Sequence, residues 1–236
     1  MDRTLIVNEL FLSIQGEGTR AGLPCTLVRL TGCNLRCRWC DTKYAWDYQA
    51  GEDLEPAQIV ERVNRWPCRF IVLTGGEPMM GPDLGARMGL VELTHRLKAL
   101  GKHITIETAG VLFVPDLACD LMSISPKLGD VAMRRHDGVE SGEPVRSDPE
   151  VISRLIRAYP YQLKFVVELP EDVGGVQDML KELGPLELER VMLMPQAATT
   201  EELQSRSGIV AELCKQTGLR FGQRLHIQLW GQRRGV

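Results

Sequence analysis

Short apolar or β-branched runs alternate along the chain with longer stretches whose apolar residues recur every three or four positions. The runs at 26–31, 70–74, 103–107, 121–125, 163–167 and 191–194 have the length and composition of buried strands. The stretches at 56–65, 84–100, 149–158, 176–183 and 201–217 carry the period of amphipathic helices. Pro56 suits a first helical turn, and Gly101 and Gly218 fall where a left-handed residue ends a helix. Strand and helix in alternation predict an α/β fold. Six parallel strands fit a partial (β/α)6 barrel, open on one side, better than a closed ring of eight. Segments 4–15 and 220–230 read as extra flanking strands, the second within a C-terminal flanking segment at 219–236. The polar stretch 128–148 reads as a surface excursion or mobile lid. With no repeat, low-complexity tract or Ser/Gly linker, 1–236 is expected to be one domain.

In folds of this kind ligands gather at the carboxyl ends of the strands. The polar and glycine-containing motifs fall there: Thr31-Gly32-Cys33, Thr74-Gly75-Gly76-Glu77-Pro78, Glu107-Thr108, Ser125-Pro126-Lys127 and Pro195-Gln196. One face of the molecule should therefore hold the chemistry. Gly75 and Gly76 lack a Cβ and would let backbone approach a ligand closely.

Composition removes whole classes of function. The chain has 236 residues, a net charge of −3, 44% hydrophobic and 25% charged residues, as ordinary globular proteins do. There is no excess of Lys and Arg for a nucleic-acid footprint, and no apolar run long enough for a membrane span or signal peptide. The expected location is the cytoplasm, where thiols stay reduced. Seven cysteines then read as one ligand cluster plus bystanders rather than as a disulfide framework.

Three of the seven lie in Cys33-Asn34-Leu35-Arg36-Cys37-Arg38-Trp39-Cys40, directly after the first parallel strand. Three thiolates leave a four-coordinate structural zinc one ligand short, and no second C-x2-C pair is present. On a 4Fe-4S cluster they would leave one iron open to another ligand. Cys25, Cys68, Cys119 and Cys214 are scattered singly and read as structural.

The loop 33–40, with Trp39 before its last cysteine, resembles the signature of the radical S-adenosylmethionine enzymes, and Gly75-Gly76-Glu77-Pro78 extends the likeness. More narrowly, Ser13-Ile14-Gln15-Gly16-Glu17-Gly18, Arg29, Cys40-Asp41-Thr42-Lys43, Glu107-Thr108 and Ser125-Pro126-Lys127 resemble the 7-carboxy-7-deazaguanine synthases. The resemblance implies that Cys33, Cys37 and Cys40 hold a 4Fe-4S cluster. It places Trp39, Cys40, Asp41, Gly76, Glu77, Ser125, Pro126, Lys127 and Gln196 around S-adenosylmethionine, with Glu77 facing its amino group. Ile14, Gln15, Gly16, Arg29 and Thr74 would bind 6-carboxy-5,6,7,8-tetrahydropterin, Arg29 offering a fork to its carboxylate. Thr42 would ligate Mg2+, an ion that keeps few protein contacts.

The implied reaction is hydrogen abstraction from C6, ring contraction and loss of ammonia to give 7-carboxy-7-deazaguanine for queuosine and other 7-deazapurines, with S-adenosylmethionine regenerated. A reduced flavodoxin or similar electron donor and a homodimer are implied as partners, with neither nucleic acid nor membrane. The tail 226–236 is similar to tails that close over substrate, with Arg233 and Arg234 unassigned. His226, alternating with Leu225 and Ile227, reads as a strand histidine. Two other readings stand beside this one: a glycyl-radical-activating enzyme sharing the cysteine spacing, and a non-catalytic zinc-binding module.

Overall fold

We describe residues 3–134 and 140–236 of a computed structural model, with side chains outside 130–145. The chain runs β1 (Leu5–Ile14), β2 (Pro24–Leu30), β3 (Leu35–Arg36), β4 (Glu52–Leu54), α1 (Pro56–Val63), β5 (Phe70–Gly75), α2 (Leu84–Ala99), β6 (His103–Thr108) and β7 (Leu121–Ile124). It continues through β8 (Leu128–Arg134), β9 (Glu140–Arg146), α3 (Pro149–Ala158), β10 (Tyr161–Val167), α4 (Asp172–Leu183), β11 (Val191–Pro195), α5 (Thr200–Thr217), β12 (Arg220–Phe221) and α6 (Leu225–Trp230). The main sheet has the order β12-β11-β10-β7-β6-β5-β2-β1-β4. From β2 to β12 every neighbouring pair is parallel, and β1 and β4 add an antiparallel edge. The six expected parallel strands are β2, β5, β6, β7, β10 and β11, and the sheet is open between its β12 and β4 edges. This is a partial (β/α)6 barrel.

The two faces of the sheet differ in chemistry. Ile71 and Leu73, Ile104 and Ile106, Met122 and Ile124, Leu163, Phe165 and Val167, and Val191 and Leu193 pack into the core against helix residues such as Leu90, Leu93, Ile152 and Val176. Burying each such side chain contributes roughly 1.5–3 kcal/mol. The alternate positions carry Thr74, Thr105, Glu107, Ser123, Gln162 and Lys164. Because side chains alternate across a strand, a polar set at period two makes a second, polar face. The β1–β2 connection covers that face: Thr19 donates from N–H and hydroxyl to Gln162 Oε1 at 2.8 and 2.9 Å, and Gln162 Nε2 donates to Ser123 Oγ at 2.8 Å.

Local signals in the sequence explain the helix ends. Pro56 opens α1 inside a capping box, Asp148 accepts from Glu150 N–H at the start of α3, and Gly218 at φ 72° ends α5. Two expectations need correction. Strand β8 pairs with both β3 and β9, so the stretch read as an excursion or lid is a β-hairpin joined to the 33–40 loop. Residues 135–139 of that stretch lie outside the described residues. Of the segment read as a flanking strand, only Arg220–Phe221 pairs with the sheet, and Leu225–Trp230 is the short helix α6. Six residues give too little length for a helical period to show, and the alternation Leu225, Ile227, Leu229 imitates a strand.

Candidate active site

The 33–40 loop leaves the carboxyl end of β2. Gly32 N–H donates to Ala45 O at 2.8 Å and Cys33 N–H to Trp46 O at 3.2 Å, so the loop closes on the short turn that follows it. Cys40 N–H donates to Cys37 O at 3.1 Å, and Leu35 N–H reaches Cys33 Sγ at 3.4 Å. Burial pushes the Cys33 thiol up to about 12, with Glu77, Cys37 and Cys40 adding to the rise. Cys37 and Cys40 thus lie within electrostatic reach of the Cys33 sulfur. The Cys33 thiolate becomes stable there only when a positive centre arrives and displaces its proton.

All seven cysteines are free. Among the described residues no three His, Cys, Asp or Glu side chains meet at the spacing of ligands to a single ion. A cubic cluster takes each thiolate on a different iron, which needs no such tight convergence. Three thiols on one loop beside the open end of the sheet suit that donor requirement.

The glycine-rich loop after β5 is zipped onto the same place. Gly76 N–H donates to Leu30 O at 3.1 Å and Glu77 N–H to Gly32 O at 2.8 Å. A Cβ at Gly75 would sit 2.1 Å from Leu30 O, and one at Gly76 would sit 2.2 Å from Gly32 O. In this structure, then, it is the neighbouring backbone that the two glycines admit, and through it they fix the start of the cysteine loop.

Glu77, 2% exposed, turns its carboxylate toward the end of β6. Its oxygens accept from Thr108 Oγ1 and Ala109 N–H, both at 2.7 Å, and from Met79 N–H at 3.3 Å. Burial pushes this carboxyl above its ordinary value despite those bonds and the charge of Lys127. Lys127 Nζ donates to Ser125 Oγ at 3.1 Å, and Ser147 ties Lys127 N–H to Ala109 O, which gathers Glu77, Ser125 and Lys127 at the ends of β5 to β7.

On the polar face sequence reasoning missed a network of charges. Lys164 Nζ donates to Glu17 Oε2 at 2.8 Å and to Glu107 Oε1 at 3.3 Å, and Gln15 Nε2 donates to the same Glu107 oxygen at 3.2 Å. Arg224 reaches three directions: Nε to Glu17 Oε1 at 2.9 Å, Nη1 to Ala197 O at 2.5 Å and Nη2 to Asp41 Oδ2 at 2.8 Å. Asp41 therefore has Arg224 as its ion-pair partner. Burial pushes the Glu17 carboxyl up, but the charges of Lys164 and Arg224 outweigh it and hold it well below the usual carboxylate range. His226, in α6 rather than a strand, lies against Gly16, where a Cβ would stand 2.1 Å from its Nδ1. The available signal was a lysine inside the otherwise apolar run Leu163 to Val167.

Arg29 lies opposite Glu9 in the β1–β2 ladder and opposite Thr74 in the β2–β5 ladder. Its Nε donates to Glu9 Oε2 at 3.0 Å, and Tyr44 OH donates to the same oxygen at 3.0 Å. Ile14 ends β1 and leads into Gln15. Thr42 caps the turn carrying Tyr44, with its Oγ1 3.6 Å from Cys40 Sγ. Arg38 stands 5.4 Å from the centroid of the Trp39 ring. It also donates to Glu168, which Arg206 joins to Gln196, so Gln196 is linked to the cysteine loop through two guanidinium groups. Cys25 and Cys68 sit at the opposite, amino end of the strands, with Cys68 Sγ donating to Pro24 O at 3.2 Å. Glu9, Tyr44, Lys164 and Arg224 join the site without having been expected there, and Glu17 and Glu107, which lay in the quoted motifs, gain the partners named above.

A barrel of parallel strands whose carboxyl ends present three clustered thiols beside a buried carboxylate defines a radical S-adenosylmethionine enzyme, and the Radical SAM superfamily pattern matches residues 27–129. Curated relatives narrow the class. The chain is 37% identical to the 7-carboxy-7-deazaguanine synthase of Halobacterium salinarum, over 96% of this chain and 90% of that protein. It is 35% identical to that of Pyrobaculum aerophilum, over 97% and 96%, and 32% identical to that of Rhodopirellula baltica, over 100% and 90%. The chain belongs to the 7-carboxy-7-deazaguanine synthase family. The crystal structure of QueE from Escherichia coli has the same fold, with a TM-score of 0.70 at 22% identity over 94% of this chain and 95% of that one. Neither the glycyl-radical-activating reading nor the zinc module is favoured by these relatives.

Proposed function

We propose that the chain, acting as one domain, converts 6-carboxy-5,6,7,8-tetrahydropterin to 7-carboxy-7-deazaguanine with loss of ammonia, in 7-deazapurine biosynthesis. The observation that carries the reading is a set of bonds at one strand end: the loop with Cys33, Cys37 and Cys40 is tied through Gly32 to Glu77, and Arg29 stands across the ladder from Thr74. When bound, a 4Fe-4S cluster on the three cysteines, together with S-adenosylmethionine, supplies the one-electron chemistry that removes hydrogen from C6 of the pterin.

The chain's own residues bind and orient. Glu77 holds a fixed carboxylate for the amino group of S-adenosylmethionine. Trp39, Asp41, Gly76, Ser125, Pro126, Lys127 and Gln196 surround the rest of that molecule. Ile14, Gln15, Gly16 and Thr74 offer the pterin edge backbone groups, an amide and a hydroxyl. Arg29 takes the carboxylate, and Thr42 gives an oxygen to Mg2+ beside it. Enclosure by the β1–β2 connection keeps water from the reacting carbon, which preserves geometry and suppresses side reactions. A homodimer in the cytoplasm, reduced by a flavodoxin or similar donor, completes the reading. Among the described residues no helix is long and apolar enough to cross a membrane.

Anaerobic incubation of the reconstituted protein with the carboxypterin, S-adenosylmethionine, Mg2+ and dithionite should yield 7-carboxy-7-deazaguanine. Cys37→Ala should lose the iron and the product together, while Cys68→Ala keeps both. Wild-type protein holding a cluster and releasing no deazaguanine overturns the substrate. Equal iron loss in the two variants overturns the ligand set.

A further inference from the structure

The segment after α6 returns across β1 to the rim of the site. Ser13 hydroxyl donates to the carbonyl oxygen of Val236. Arg234 donates through Nε and Nη2 to Glu9 Oε1 at 3.0 and 2.9 Å, and its guanidinium lies 3.5 Å from the centroid of the Tyr44 ring. Arg29 occupies the other oxygen of the same carboxylate, together with Tyr44 OH. Arg29 is little exposed, with 13% of its side chain accessible, whereas Arg234 is 54% accessible.

One carboxylate is thus divided between two guanidinium groups. A guanidinium and a carboxylate left to themselves tend to close into a two-point pair, the strongest geometry open to them. Arg234 places two N–H groups on Oε1, and Arg29 makes its contact on Oε2. The charge count points the same way. Two guanidinium charges against one carboxylate leave one positive charge unbalanced, which one incoming carboxylate would balance. Without Arg234 the pair Glu9–Arg29 would be neutral and closed.

We propose that Arg234 is a positioning residue that occupies Glu9 and so keeps Arg29 free to take the carboxylate of the pterin acid. The inference rests on the reading of Arg29 as the carboxylate-binding group. It makes the tail a determinant of specificity for acids over neutral pterins, with no contact between Arg234 and the substrate required.

Equilibrium dialysis of the anaerobically reconstituted protein with Mg2+ tests it, using the carboxypterin and a tetrahydropterin that lacks the carboxyl group. Arg234→Met should weaken binding of the acid about tenfold, the equivalent of one charge-assisted contact, and leave the neutral pterin unaffected. Arg234→Lys, which keeps the charge and loses the two-point contact, should fall between. The double variant Glu9→Gln with Arg234→Met restores the unbalanced charge and should bind the acid within about threefold of wild type. An unchanged Arg234→Met overturns the proposal, as does a defect that survives in the double variant, or one shared by the neutral pterin. Wild-type protein that binds neither pterin overturns the reading of the site along with the inference.

Discussion

Two enclosed carboxylates, one on each side of the site, respond to burial in opposite ways. Glu17, on the polar face, has brought its own counter-ions: Lys164 at 2.8 Å and Arg224 at 2.9 Å hold its carboxyl well below the usual range. Glu77, at the glycine-rich loop, is bonded among the described residues by neutral donors, two backbone N–H groups and a hydroxyl, and burial pushes its carboxyl up. The charge of Lys127 acts on it, but Lys127 is itself bonded to Ser125. The Glu17 carboxylate is thus completely paired within the protein alone, by Lys164 and Arg224. Glu77, with no cation bonded to it among the described residues, is incomplete by comparison, and the reading proposed above gives that place to an ammonium group.

The largest effect should come from taking a counter-ion out of the complete region. Lys164, 3% exposed, bridges Glu17 and Glu107. Lys164→Met leaves those carboxylates short of a charge in a place water reaches poorly, which costs about 3–5 kcal/mol when a buried pair is broken from one side. Urea unfolding at neutral pH measures it, and adding Glu17→Gln should recover part of the loss. A cost below about 1 kcal/mol, the range of exposed ion pairs, would mean that solvent already screens the network and that the contrast with Glu77 is empty.

A pH series separates the two carboxylates by sign. The folded state holds Glu17 below its ordinary value of 4.5, so its contribution is present above that pH and disappears as the pH falls. The margin of wild type over Glu17→Gln should therefore shrink from about pH 6 to about pH 3, by on the order of 2 kcal/mol. A margin that stays level across that window would show that Lys164 and Arg224 do not depress this carboxyl.

What the sequence disclosed follows from the range of the interactions concerned. The six parallel strands β2, β5, β6, β7, β10 and β11 and the helices α1 to α5 were readable, because their periods and caps are local. The strand-end motifs were readable too, because fixed short spacing carries them. Lys164 was not, since a lysine in a strand usually marks an edge, and only the third dimension shows Glu17 and Glu107 waiting for it. The same holds for Arg29 and Arg234, which meet on Glu9 although Arg234 stands 225 residues from that partner. The hairpin of β8 and β9 escaped for a related reason: its ordering partner is the two-residue strand β3, nearly a hundred residues earlier in the chain. Gly75 and Gly76 were recognised as close-approach positions, while what approaches, the backbone from Leu30 to Gly32, could not be read from spacing.

The smallest change in stability, and the sharpest test of the contrast, belongs to Glu77→Gln. Because folding raises this carboxyl above 4.5, its contribution is present at low pH and is lost as the pH rises through the folded value. The variant never ionises, so relative to wild type it should gain as the pH rises past 4.5, opposite to Glu17→Gln. Against that gain, an amide offers one accepting oxygen where Thr108, Ala109 and Met79 present three donors, and its NH2 must face one of them. The lost acceptor costs about 1 kcal/mol and works against that gain, so unfolding at neutral pH should show a smaller change than Lys164→Met or Glu17→Gln gives. Binding of S-adenosylmethionine to the cluster-loaded protein should nonetheless drop at least tenfold, since the charge awaiting the ammonium is gone. If Glu77→Gln were instead strongly destabilising and bound the cofactor as wild type does, Glu77 would be a structural tie between the β5 and β6 loops, and the incomplete region would have to be sought elsewhere on the rim.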